Sequence, residues 1–180
     1  MKKLGFSLVM ILLVVVTMGC QKQESDTEET AMETASAEMA ATQGSEAHGT
    51  VTFTKTDEGI RVVANFEGVP EGTHGFHIHQ YGDCSSGDGK SAGGHFNPEG
   101  VPHAGPDAAE RHVGDLGNIS ADENGVAHAD FVDSKLTFEG ENSIIGKGVI
   151  LHADADDLTT QPTGAAGARI SCGVITASEK

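Results

Sequence analysis

His77-Ile78-His79 places two imidazoles two residues apart. In an extended strand, alternation sends both rings to one face and Ile78 to the other. Two neutral imidazoles at that spacing suit Cu, Zn or Ni. His95, His103, His112 and Asp115 follow, at intervals of eight, nine and three residues. Three imidazoles and a carboxylate make a closed four-ligand set that suits tetrahedral Zn. Gly93, Gly94, Pro98, Gly100, Pro102, Gly105 and Pro106 let the intervening chain fold tightly around an ion. His152 ends a later apolar run, from which it could return to His77 and His79. Seven of the nine His lie between His74 and His128, so the chemistry is concentrated in the middle of the chain.

The elements that must carry these side chains read as strands. Val51 and Phe53 alternate with Thr50, Thr52 and Thr54. After the turn signal Asp57-Glu58-Gly59, Ile60, Val62, Ala64 and Phe66 recur with a period of two. Gly75 to His79 begins another strand. Asp122-Glu123-Asn124-Gly125 predicts a hairpin turn between a strand near Leu116–Ala121 and one near Val126–Val132. Gly148–His152 and Arg169–Ile175 read as two more. No stretch carries a sustained helical stripe. The pattern predicts an all-β fold, an antiparallel β-sandwich or flattened barrel. Two long irregular segments, Gly82–Gly114 and Ala153–Ala168, contain His, Asp, Cys and Arg and read as functional loops.

The chain has 180 residues, with 27 Asp+Glu against 11 Lys+Arg and a formal net charge of -16. This excludes a general nucleic-acid binder and a protein drawn by charge to anionic membranes. Residues 48–180, read as the one folded domain, hold eight Lys/Arg against twenty Asp/Glu. The first 19 residues read as an export signal. Lys2 and Lys3 precede an apolar run from Leu4 to Met18, shorter than the ~20 residues a membrane span needs. Gly19-Cys20 resembles the bacterial lipobox, with Thr17 where Leu is usual. That resemblance implies a lipid anchor at Cys20. Gln21 after it implies the outer membrane, facing the periplasm. Residues 20–47 then read as an acidic tether, with Ala35, Ala37 and Met39 alternating as a weak first strand over 35–40. Cys84 and Cys172 remain as an even pair in an exported protein, so a disulfide is the expectation. Closing so long a loop restricts the unfolded chain by roughly 4 kcal/mol.

Five ordered blocks resemble the copper/zinc superoxide dismutase family. They are Gly75-Phe76-His77-Ile78-His79, Gly93-Gly94-His95-Phe96-Asn97-Pro98, the run Glu110 to Asn118, Ile145-Gly146 running on to His152, and Gly167 to Ile175. The resemblance covers about 49–176 and implies a Greek-key sandwich. It implies copper held by His77, His79, His95 and His152, and zinc held by His95, His103, His112 and Asp115. His95 would bridge the two as an imidazolate. Asp156 matches a carboxylate behind the ligands that accepts hydrogen bonds from His77 and His103. Arg169 matches the arginine that holds the substrate, Thr163 a threonine on the channel rim, and Cys84–Cys172 the family's disulfide. The implied reaction is dismutation of superoxide to dioxygen and hydrogen peroxide, with His95 and Arg169 as catalytic residues, in defence of the cell envelope. The only membrane contact is through the anchor, and a homodimer is compatible with the family.

The remaining histidines read as structural. His74 matches a family residue that ties backbone together, and His128 and His48 read as surface residues. Two rival functions carry distinct signatures. A metal-binding lipoprotein without catalysis would lose a copper ligand or the arginine. A zinc hydrolase would keep an open zinc position and a nearby general base. In one place the chain departs from the longer members of the family it resembles. The segment between Asp157 and Arg169 is short and holds Thr159, Thr160, Gln161, Pro162 and Thr163, with no Lys or Glu. Steering of an anion then falls to Arg169, the metals and Lys residues such as Lys90 or Lys147.

Overall fold

The computed structural model of the chain describes Met1 and residues 33–178. The signal over 1–19, the anchor at Cys20 and the tether as far as residue 32 lie outside the described residues. The elements are β1 (Thr34–Ala41), β2 (His48–Thr56), β3 (Gly59–Glu67), β4 (Gly72–His79), β5 (Asp115–Ala121), β6 (Ala127–Asp133), β7 (Gly148–His152), β8 (Arg169–Val174) and β9 (Thr176–Ala177). A three-residue 3-10 turn at Lys90–Ala92 is the one helical element among the described residues.

Alternation explains the strands. In β3, Ile60, Val62, Ala64 and Phe66 are buried while Arg61, Asn65 and Glu67 face water. The strands pair in the order β2-β3-β6-β5-β4-β7-β8-β1, and β1 pairs again with β2, so the sheet closes on itself. Every pairing between strands is antiparallel. The neighbours β3–β6 and β4–β7 are distant in sequence, which is the Greek-key crossover. Phe53, Phe66, Phe76, Ile78 and Leu151 fill the interior. Phe66 meets Phe76 edge to face, with ring centroids 6.0 Å apart.

The closure changes the reading of the N-terminal segment. Thr34–Ala41 is a strand of the barrel, so the span read as tether over 20–47 is cut short. Ala35, Ala37 and Met39 form the inward face of β1 and are at most 4% exposed. Alanine gives a weak periodic signal, and the surrounding acids mask it. What makes the segment a strand is tertiary: β2 and β8 each leave an edge that β1 satisfies.

Two long connections leave the barrel. Residues 80–114 join β4 to β5, and 153–168 join β7 to β8. Cys84 in the first is bonded to Cys172 on β8, across a separation of 88 residues.

Candidate metal centre

β4 is central, with β5 on one side and β7 on the other. Phe76 and Ile78 turn into the core, and His77 and His79 turn the other way under the loops, fully buried. The loop chain near His95 is stitched to the same strand. Ile78 N–H donates to Gly114 O at 2.9 Å, Phe96 N–H to Ile78 O at 2.8 Å, and Gly114 N–H to Phe96 O at 2.9 Å. His95 thereby lies across an isolated bridge from His79. Gly114 is required at this crossing, because a Cβ there would stand 2.1 Å from the Ile78 carbonyl oxygen. His152, at the end of β7, pairs with Arg169 on β8.

These placements gather His77, His79, His95 and His152 into one set, and His95, His103, His112 and Asp115 into another. In each set one ligating atom per residue lies within 4.8 Å of all the others. All seven residues, His95 being common to both sets, are buried. In the second set, Asp115 Oδ1 lies 2.7 Å from His95 Nδ1, 2.9 Å from His103 Nδ1 and 3.1 Å from His112 Nδ1. His112 Nδ1 and His95 Nδ1 are 3.5 Å apart. Ligand atoms around a tetrahedral ion with bonds near 2.0–2.1 Å stand roughly 3.3 Å apart, so the set is close to the size of a zinc cage.

The ring nitrogens show which atoms face inward. His77 Nε2 lies 2.7 Å from Asp156 Oδ2, and His103 Nε2 lies 2.9 Å from Asp156 Oδ1. Both rings donate N–H to that one carboxylate, leaving a lone pair on each Nδ1. His79 Nδ1 donates to Gly93 O at 3.0 Å. The nitrogens left over have no hydrogen-bond partner among the described residues: His77 Nδ1, His95 Nε2 and His103 Nδ1. The 2.9 Å approach of His103 Nδ1 to Asp115 is therefore close without the alignment of a hydrogen bond. His79 Nε2 and His152 Nε2 face each other at 3.3 Å, two lone pairs that only a cation or a proton reconciles. Buried polar atoms are almost always satisfied, so three orphaned nitrogens converging on two points fit two metal ions.

The electrostatics of the two sets differ. Burial holds the His77 and His79 imidazoles well below the usual histidine range, and neighbouring rings push the same way. Burial also lowers His152, to about 4. His95 is lowered by burial, partly offset by Asp115. His103 is raised: burial opposes protonation, but Asp115 and Asp156 outweigh it. Asp115 is lowered, because the close approach of the His95 and His103 rings outweighs its burial. The first set thus prefers neutral rings ready to ligate, while the second carries its own negative charge.

Arg169 stands over the first set, half-buried. Its guanidinium donates to Gly89 O at 2.6 Å and Gly93 O at 2.5 Å. It shares Gly93 O with His79, which ties the cation to the ligand cluster. Of the two lysines considered for steering, Lys90 is paired with Asp88 at 2.8 Å, and Lys147 lies over the Phe96 ring, 4.5 Å from its centroid. Thr163 is half-buried beside Gly164, where the backbone runs against Asp156 and His103. His74 is buried, with Nδ1 2.9 Å from His152 O and Nε2 2.8 Å from Pro70 O. His128 lies outside, bonded to Asn65.

Three supports escape a reading of the sequence. Buried Arg111 donates to the carbonyls of Pro106, His112 and Val113 and to Asp133 Oδ2, which pins the backbone around His112. The Asn118 amide brackets Asp156, accepting from its N–H and donating to its C=O. Gln161 does the same for His103. None of these has a spacing signal, since each depends on where a distant part of the chain returns.

Residues 47–175 match the sequence model of the copper/zinc superoxide dismutase family. The chain is 47% identical over 135 residues to the Cu-Zn extracellular superoxide dismutase of Drosophila melanogaster, covering 71% of this chain and 74% of that one. It is 46% identical over 134 residues to Cu-Zn superoxide dismutase A of Xenopus laevis, covering 71% and 87%. Its fold is similar to the crystal structure of the clock protein EA4, with a TM-score of 0.76 and 41% identity over 83% of this chain and 97% of that one. With the two convergent ligand sets already assembled on a Greek-key barrel, the match over most of the barrel leaves one conclusion: the chain belongs to the copper/zinc superoxide dismutase family.

Proposed function

We propose that the chain dismutates superoxide with His77, His79, His95 and His152 holding copper and with His95, His103, His112 and Asp115 holding zinc. The observation that carries this reading is His95, whose Nδ1 faces Asp115 while its Nε2 is orphaned toward the other set. In the reaction one superoxide loses an electron and leaves as dioxygen. A second gains that electron and two protons and leaves as hydrogen peroxide. Copper, when bound, supplies the one-electron cycling, and zinc a fixed positive charge. His95 Nε2 takes up a proton in the first half and returns it to the reduced substrate in the second. Arg169 holds the anion by a charge-assisted hydrogen bond. Asp156 fixes the tautomers of His77 and His103, and Thr163 narrows the approach. An acidic protein can still capture an anion, because the local field at the mouth, not the net charge, sets the on-rate.

The same reading extends to address. We infer export through residues 1–19, a lipid anchor at Cys20 and an acidic tether leading to the barrel, with the enzyme defending the cell envelope from the periplasm. A homodimer fits this reading. Two features support export: the Cys84–Cys172 bond, a cross-link typical of oxidising compartments, and the extracellular description of the Drosophila relative.

Pulse radiolysis of Arg169→Glu tests the catalytic assignment. Superoxide decay by the variant should slow about 10- to 100-fold, with copper and zinc contents unchanged. Wild-type kinetics in a fully loaded variant would sink the role given to Arg169. Two bound metals without activity in the native chain would favour a metal-binding protein instead.

A further inference from the structure

His77 and His79 lie on a strand whose backbone is paired on both sides, but His103 lies in the long loop 80–114, outside any strand. What holds its backbone comes from the shortened loop 153–168. Gln161 Oε1 accepts the His103 N–H at 2.8 Å, and Gln161 Nε2 donates to the His103 C=O at 2.8 Å. One primary amide thus supplies a donor and an acceptor to one residue, as a neighbouring strand would.

The amide is itself presented by a loop bonded to itself. Asp157 Oδ1 accepts from Thr159 N–H at 3.0 Å and Thr160 N–H at 2.7 Å, and Oδ2 accepts from the Thr160 hydroxyl. Asp157 N–H donates to Gly164 O at 2.9 Å, and Gly164 N–H donates to Thr160 O at 2.7 Å. Gln161 Nε2 also donates to Thr159 O at 3.2 Å. The loop lies against the His103 segment at a second point, since a Cβ built on Gly105 would sit 3.3 Å from Leu158 Cδ1. At the base of the same loop, Asp156 accepts from the His103 ring. The ring and the backbone of one ligand are therefore both held from the short loop.

We propose that Gln161 is a positioning residue for the zinc set: it holds the His103 backbone so that the unpartnered Nδ1 stays beside Asp115 Oδ1, 2.9 Å away, facing the ion the set would hold. The uncharged composition of 158–163 acquires a purpose on this view. The loop is a turn bonded to itself through Asp157, and it ends in an amide clamp. Partners behind metal ligands commonly carry ~10–100-fold of metal affinity. Because the clamp acts on one of the four zinc ligands, its effect should fall on zinc and spare copper. The inference rests on the zinc assignment proposed above.

The test uses the full copper- and zinc-loaded protein and the variants Gln161→Met and Gln161→Glu. Methionine keeps the length without the amide, and glutamate keeps the acceptor but loses the donor. Three quantities are read: zinc release to a chromogenic chelator, copper release, and the melting temperature of the metal-free protein. Gln161→Met should release zinc about tenfold faster, with Gln161→Glu between it and the native chain. Copper release and the metal-free melting temperature should not move. In the cobalt(II)-substituted zinc site, Gln161→Met should also shift the visible bands. Native zinc release from Gln161→Met overturns the proposal, and so does an equal acceleration of copper release or a matching fall in the metal-free melting temperature. His103→Ala separates this from the parent reading. If that variant keeps native zinc affinity, the zinc assignment fails and takes the clamp with it. If only His103→Ala loses zinc, the assignment stands and the clamp alone is refuted.

Discussion

The two ligand sets share His95 yet are built in different ways. His77, His79 and His152 stand on β4 and β7, and their places follow from strand register. Their neighbours are other imidazoles, the Arg169 cation and, for His77, the Asp156 carboxylate that also serves His103. His95, His103 and His112 stand on a loop of irregular chain, with Asp115 at the first residue of β5. Their places follow from side-chain clamps: Asp156 held by Asn118, Arg111 held by Asp133, and Gln161 on His103. A sheet can carry ligands without dedicated supports, because its ladders already satisfy and fix the backbone. A loop needs a partner for each backbone group that must not move. The electrostatics divide in the same way. The strand-borne rings are held neutral by burial, and the loop-borne set carries a buried carboxylate that offsets the charge of an ion.

The sharpest test of this division is Asp115→Ala. Removing the carboxylate from the cage should lower zinc affinity by more than about 100-fold, beyond the range of an outer partner. Copper affinity should fall much less, because the strand-borne rings keep their ladders. Competition titrations with chelators of graded strength measure both, and equal losses of the two metals would erase the distinction.

A pH titration of metal-free stability comes next in size. His77, His79, His95 and His152 have folded values below the unfolded value near 6.5, and His152 lies at about 4. Above pH 6.5 both states are neutral at these rings, and they contribute no slope. As pH falls below 6.5, the unfolded chain takes up protons that the folded chain does not, so stability drops. The loss should continue down to about pH 4, where His152 begins to charge in the folded state. His103, raised in the fold, works the other way; its contribution is present in acid and lost as pH rises through its folded value. Denaturant unfolding between pH 4 and 8, with the disulfide intact, should show the net decline toward acid. A flat profile would mean that the strand-borne rings are less desolvated than their burial indicates.

Arg111→Met gives a smaller, purely structural effect. Arg111 and Asp133 are 3% and 5% exposed, and the variant strands the carboxylate without its cation. Breaking a buried pair from one side costs about 3–5 kcal/mol. Urea unfolding of the metal-free protein should register that loss, together with weaker zinc binding. If zinc binding is untouched, the His112 backbone does not depend on the Arg111 carbonyl contacts.

Much of this centre is legible along the chain. The period-two runs locate β2 through β8 closely: the hairpin expected around Asp122–Gly125 joins β5 and β6, and Gly148–His152 is β7 as read. The His-x-His pair, the four-residue set ending at Asp115 and the Cys pair are visible because ligand chemistry belongs to residue type. β1 is only faintly legible. Its inward residues are mainly alanines in an acidic setting, and its strand form depends on two edges contributed by residues far away. Gln161 and Arg111 carry no local signal at all, because a polar side chain in a loop looks the same whether it faces water or a ligand's backbone.

By itself, the sequence determined which residues could ligate and that alternating strands would present His77 and His79 on one side. Those are properties of residue type and short-range geometry. Only the tertiary structure decided which nitrogen of each ring faces inward, that one Asp156 carboxylate serves two ligands, and that a residue 58 positions away clamps His103. The reason is physical. A ring nitrogen is assigned by the group bonded to its partner nitrogen, and in this barrel that group arrives from another loop once the sheet has closed.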